Sequence, residues 1–312
     1  MKQLVIAERI VLAIHVISTL FGLAGLLIVI PNPQIIANLP PIGQMAFGWS
    51  MSGGGVAFIV FGAIAVALYA YRTLGWWLTT TFMVPAICLS LSSELLGTST
   101  GFPFGHYQYL NGLGYKIAGL VPFTIPLSWF YMGLSCYLLA RAGLRVVVGS
   151  SWLRHWATLA VAAILLTAWD LVLDPAMSQA PVKFWIFQEV GEFFGMPYRN
   201  LLGWMGTAAI FMSVGAFLWR GVPVVLSRRQ LTLPLIVYLT NFVFGAAITV
   251  FALDQRFLLP VSLSVVFGVI PAIIFWWIAK PTLAAGEELS SNQAFAEMSS
   301  KVPSTPAEIL AK

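Results

Sequence analysis

The chain has 312 residues, 59% of them hydrophobic and only 9% charged. Soluble domains carry about 25% charged residues, so a water-soluble globule is excluded and an integral membrane protein is implied. The net charge of +5 is no sign of nucleic-acid binding, because the basic residues fall in short loops, as a topology signal does.

The apolar stretches are continuous rather than alternating, which calls for helices and not a membrane barrel. At the N-terminus, Lys2 and Arg9 precede an apolar run that reaches Ile30. That run is long for a secretory leader and ends in PNPQ rather than a small-x-small cleavage site, so it reads as a retained first span. A spanning helix needs about 20 apolar residues. Eight are expected, over residues 9–30, 47–70, 75–96, 118–140, 155–174, 201–219, 233–253 and 257–279. Leu253-Asp254-Gln255-Arg256 makes a tight hairpin between the last two. The expectation is therefore an all-α polytopic bundle forming one domain over 1–280, followed by an Ala/Ser/Glu-rich, disordered cytoplasmic tail over 281–312. Cys88 and Cys136 lie in apolar runs and read as packing residues.

Lysine and arginine placement sets orientation. Lys2, Arg9, Arg72, Arg141, Arg145, Arg154, Arg220, Arg228, Arg229, Lys280, Lys301 and Lys312 fall on one side, and Lys116, Lys183, Arg199 and Arg256 on the other. Both termini are expected in the cytoplasm. The two long loops, 97–117 and 175–200, then lie on the opposite face.

Three acids stand out because they interrupt or end apolar runs. Glu94 closes the third span, and Asp170 and Asp174 close the fifth, in AWDLVLDP. Carboxylates are costly in a bilayer, so such residues mark function by default. No basic residue lies in either run, and partners must come from elsewhere in the chain. Asp170 and Asp174 are four apart and share a helix face, with Cβ atoms about 6 Å apart. Two carboxyls so placed in a low dielectric cannot both ionise cheaply, and a carboxylic acid beside a carboxylate is suited to protonating a poor base. Pro175 is expected to help end that helix. The plainer reading pairs Asp170 with Lys116, Lys183 or Arg199.

The loop after Glu94 is rich in glycine, hydroxyls and aromatics, with His106, Tyr107, Tyr109, Tyr115 and Lys116. The tyrosines read as an aromatic belt or as a binding wall. Segment 183–195 reads as an interfacial helix that breaks at Gly195-Met196-Pro197. It carries Glu189, which faces solvent, and Glu192, the better site candidate. Arg199 serves as an ion-pair partner or an interfacial anchor, and Asn200 as a hydrogen-bond donor to water or a carboxylate. Trp129, Trp169, Trp185 and Trp204 accompany the acids, and indole faces stabilise a desolvated cation by up to about 2 kcal/mol. His15 and His155 flank other segments, and the three scattered histidines supply no metal cluster of the kind oxygen-dependent hydroxylases use. A weak echo is also present: Glu94, GFPF and Trp129 in one half correspond to Asp170/Asp174, GMPY and Trp204 in the other, running in the same direction.

Three blocks, 92–133 (SSELLGTSTGFPFGHYQYLNGLGYKIAGLVPFTIPLSWFYMG), 168–177 (AWDLVLDPAM) and 191–204 (GEFFGMPYRNLLGW), together resemble the membrane carotenoid hydratase family, of the γ-carotene 1′,2′-hydratase and bisanhydrobacterioruberin hydratase type. The resemblance covers roughly residues 45–280. It implies a hydro-lyase that adds water to the terminal C1′=C2′ bond of an acyclic carotenoid end group, giving a tertiary alcohol without metal or redox cofactor. Partners would be the carotenoid, water, the bilayer and other carotenoid-synthesising enzymes. The chemistry needs an acid, aromatic walls and a held water. Asp170 or Asp174 is expected to be the acid, with the other tuning it, and Glu94 or Glu192 to position and deprotonate the water. Trp129, Trp169, Trp204 and Tyr107 would line the cation site with Asn200, and His106, Lys116 and Arg199 would support it. The same devices would serve a proton-coupled lipid carrier or an isoprenoid cyclase or isomerase, and a non-catalytic pigment scaffold is a further reading.

Overall fold

A computed structural model describes residues 2–279. The tail expected over 281–312 lies outside the described residues. Helix α1 (Lys2–Ala24) runs on through a π-turn at Gly25–Val29, and a short α2 (Pro33–Ala37) leads to α3 (Pro41–Leu74). Gly75, at φ 84°, separates α3 from α4 (Trp76–Thr100), and Gly101, at φ 81°, ends α4 in the left-handed conformation. A loop with strands β1 (Tyr107–Tyr109), β2 (Lys116–Ile117) and β3 (Val121–Pro122) leads into α5 (Thr124–Val147). Ser150 caps α6 (Ser151–Ser178), which is followed by β4 (Trp185–Phe187) and α7 (Tyr198–Leu218). A capping box formed by Ser227 and Gln230 starts α8 (Arg228–Ala252). The last span combines a 3₁₀ turn (Gln255–Phe257), α9 (Leu258–Ser264), a π-turn (Val265–Val269) and α10 (Ile270–Ile278).

The protein is an all-α, multi-pass membrane bundle. Among the described residues, seven helical segments are long and apolar enough to cross a membrane. The remaining expected span, the fourth, falls on α5, shifted toward the C-terminus from 118–140. It is less apolar because it lies at the centre of the bundle, against α3, α4, α6, α8 and α10, and its polar Ser128, Tyr131 and Ser135 are enclosed by protein rather than lipid. The outer helices show the inverse pattern expected of a bundle in lipid. On α1, Ile6, Ile10, Ile17 and Phe21 face outward, whereas Glu8, His15 and Thr19 are buried. Glu8 accepts from Arg72 Nε at 2.6 Å and Nη2 at 3.0 Å, which ties α1 to α3.

Three local expectations are corrected. Segment 183–195 is not a helix: Trp185–Phe187 is extended and pairs antiparallel with Tyr107–Tyr109, with Tyr109 opposite Trp185. The run Phe184-Trp185-Ile186-Phe187 suits a pleated partner surface, and Phe194 and Gly195, both at positive φ, turn the chain before α7. Pro175 does not end α6, which continues to Ser178 with the proline inside it. His15 does not flank a segment. It sits inside α1, its Nδ1 2.9 Å from the Phe58 carbonyl and its Nε2 3.4 Å from Asn241 Nδ2.

Candidate active site

Glu94, one and a half turns before the end of α4, is buried and held by three donors. Trp129 Nε1 donates to Oε1 at 2.9 Å, and the Tyr109 hydroxyl donates to Oε2 at 2.8 Å. The Tyr107 hydroxyl makes a further short hydrogen bond to Oε2. All three partners are donors, an arrangement that suits a carboxylate. Burial, and then the adjoining Glu94, pushes both phenols well above their ordinary range, so they keep the protons they donate. Both tyrosines sit on β1, which pairing with β4 holds against α4. The Lys116 ammonium donates to the Tyr109 carbonyl at 2.6 Å and so braces this strand from behind.

Asp174 and Asp170 project from α6 toward Asn200, in the first turn of α7. Asn200 Nδ2 donates to Asp170 Oδ2 at 3.1 Å and makes a short hydrogen bond to Asp174 Oδ2. Trp185 Nε1, from β4, donates to Asp174 Oδ1 at 2.8 Å. Asp170 Oδ1 is buried without a protein partner. Glu94, Asp174 and Asn200 line one small pocket of about 40 Å³, walled by Trp129, Trp204, Trp185, Phe104 and the two tyrosines. Asp170 lies behind Asp174 and does not line it. The indoles of Trp129 and Trp204 stack with centroids 4.2 Å apart and planes at 26°. Those tryptophans are the pair matched by the weak sequence echo.

Close backbone approach makes this packing possible. A Cβ at Gly97 would come 2.7 Å from Phe104 Cδ2, and one at Gly203 would come 2.6 Å from Phe104 Cδ1. Phe104 is thus wedged between α4 and α7 at two bare positions.

The structure therefore brings Glu94, Asp170, Asp174, Asn200, Tyr107, Trp129 and Trp204 together. Trp169 contacts Trp204 edge-on at 5.8 Å and faces a neighbouring cavity. The structure does not bring Glu192, which is exposed in the 188–197 turn, to the pocket, and His106 is likewise exposed. Arg199 is paired at the surface with Glu189 rather than with a buried acid. Among the described residues, the ion pairs are Glu8–Arg72, Glu189–Arg199 and Asp254–Arg256, so Glu94, Asp170 and Asp174 have no ion-pair partner there and accept from neutral donors. Sequence reasoning overlooked the roles of Tyr109 and Trp185 as donors to the acids. For Tyr109 the signal was the alternation within YQY, which sends both tyrosines inward, whereas the wholly apolar WIF carried none for Trp185.

The family described as "Carotenoid biosynthesis protein" matches residues 54–271, a stretch that contains every pocket residue named above. A bisanhydrobacterioruberin hydratase from Haloarcula japonica is 35% identical over 132 residues, which is 42% of this chain and 43% of that protein. The chain thus matches less than half of that relative's length. No solved structure matches the chain.

Proposed function

The chain belongs to the carotenoid biosynthesis protein family, and from that premise we propose that it is a carotenoid hydratase acting on an open-chain, isopropylidene-type end group. The observation that carries this reading is one pocket with two carboxyl groups of different surroundings, Asp174 and Glu94, between stacked indole walls. Likeness to a named hydratase supports the same reaction class.

A trisubstituted alkene is a weak base. Protonation at C2′ leaves a tertiary cation at C1′, and water capture at C1′ followed by loss of a proton gives the tertiary alcohol. Asp174, which faces the pocket, is the acid. Asp170, behind it and sharing the Asn200 donor, is a positioning residue whose free Oδ1 gives the pair room to hold the proton the reaction needs. Glu94, held by three donors with one lone pair of Oε1 left free, is the negative charge that steadies the cation, aided by the Trp129 and Trp204 faces. It also orients the water and takes its proton. A volume of about 40 Å³ exceeds the roughly 10–15 Å³ one water needs. The substrate gains one water in all, and the proton taken up by Glu94 returns to Asp174, directly or by way of water, before the next turnover.

The positive-inside pattern supports cytoplasmic termini, with this pocket toward the opposite face. Expression of the full chain in a host that accumulates lycopene or γ-carotene tests the function. The expected product is heavier by one water and is missing with Asp174→Asn. Conversion of the pigment to a ring-closed isomer of unchanged mass would favour the cyclase reading instead.

A further inference from the structure

Beside the acid pocket lies a much larger cavity of about 550 Å³. It is bounded by the C-terminal half of α1, the stretch of α3 from Ala46 to Ile59, and α5 and α6. Ile125, Ser128, Leu173 and Trp185 line both spaces and stand at the boundary between them. The polar groups on its α5 wall are already engaged: Ser128 Oγ donates to the Ile125 carbonyl at 2.8 Å, and the Tyr131 hydroxyl to Asn241 Oδ1 at 2.8 Å. The wall offered to an occupant is therefore apolar. Ile17, Phe21 and Trp49, at the other edge, are exposed on the flank of the bundle that meets lipid.

The α3 wall carries Gly53-Gly54-Gly55 in mid-helix. Glycine destabilises a helix interior, so each one calls for a reason. Gly55 has one, since a Cβ there would come 2.8 Å from the Gly112 carbonyl oxygen. Gly53 does not, because a Cβ there would meet nothing within 4 Å. At Gly54 the nearest neighbour is Ser50 Oγ of the same helix, at 3.6 Å. These two positions leave bare backbone facing open space, although no protein group occupies that space.

We propose that this cavity is the binding site for the polyene stem of the substrate. The stem enters sideways from the bilayer between α1 and α3, lies flat along the Gly53–Gly54 strip, and presents its end group past Ile125, Ser128, Leu173 and Trp185 to Asp174 and Glu94. The proposal rests on the carotenoid reading above for the identity of the occupant. It assigns to α1 and α3 a role that the acid pocket does not require.

The test uses the full chain in lipid nanodiscs and lycopene as the probe, reading both tryptophan quenching and pigment retained after washing. Gly53→Phe and Gly54→Leu fill the strip without touching the acids, and Gly48→Phe, on the same helix but outside the cavity lining, is the control. The proposal expects Gly48→Phe to bind like wild type. Either strip substitution weakens lycopene binding by about tenfold or more, a size consistent with overfilling a packed site. Unchanged melting shows that each variant is folded, and either of the two strip variants suffices. Equal binding by wild type and a folded strip variant would overturn the proposal, whether or not wild type hydrates the pigment. Binding that depends on Gly53 or Gly54 with no hydration product leaves the stem site standing and removes the hydratase reading.

Discussion

Trp185 donates its indole N–H to Asp174 Oδ1 at 2.8 Å, and this bond joins a loop strand to a carboxyl inside the bundle. The strand is held in turn by Tyr107–Tyr109, which carries the donors to Glu94. One small pairing of strands thereby fixes both acids relative to each other. Trp185→Phe keeps the ring and removes the donor. Hydrogen bonds to charged groups contribute about 1.5–3 kcal/mol, so turnover is expected to fall about 10- to 100-fold with pigment binding retained. Rate measurement at saturating pigment checks this.

The two aspartates separate by position. Asp174 lines the pocket and Asp170 does not. Asp174→Asn is expected to lower the rate by about 10²–10⁴-fold, the usual worth of a general acid. Asp170→Asn is expected to lower it less and to alter the pH profile, because the acid loses its partner without being removed. Equal losses with identical pH profiles would contradict the assignment.

Glu94→Gln replaces an acceptor of three hydrogen bonds with an amide that offers one acceptor oxygen and two donors. Donors then face donors in a buried site. Both activity and melting temperature are expected to drop, whereas Tyr109→Phe costs about 1 kcal/mol of stability and part of the rate. Parallel thermal unfolding and turnover assays resolve the two effects.

Phe104 fills the space left by Gly97 and Gly203. Gly203→Ala forces that ring aside and is expected to destabilise by about 1–3 kcal/mol. Gly206→Ala, where a Cβ meets nothing within 4 Å, is the neutral control on the same helix. A melting shift confined to position 203 bears this out.

Much of the fold was legible because lipid permits few alternatives. All eight expected spans fall on helices, and the acids were conspicuous for their cost in a bilayer. The one span of lower hydropathy, α5, is the enclosed one, so its serines and tyrosines obscured the signal that lipid contact sharpens elsewhere. The loops were harder. Trp185–Phe187 meets Tyr107–Tyr109 across more than seventy residues of chain, and no local period announces such a pairing. Glu192 and Glu94 are alike in type and both near apolar segments, yet only Glu94 meets a set of inward donors. The large cavity was invisible for a different reason, since its α3 wall is made partly of glycines, which contribute no side-chain pattern.

The most direct test of protonation followed by water capture is isotopic. The protein converts its pigment in water carrying both heavy oxygen and deuterium, and the alcohol is analysed by mass spectrometry and NMR. The account predicts solvent oxygen on C1′ and one non-exchangeable deuterium on C2′. Oxygen drawn from dioxygen, or an alcohol with no deuterium at C2′, would contradict it.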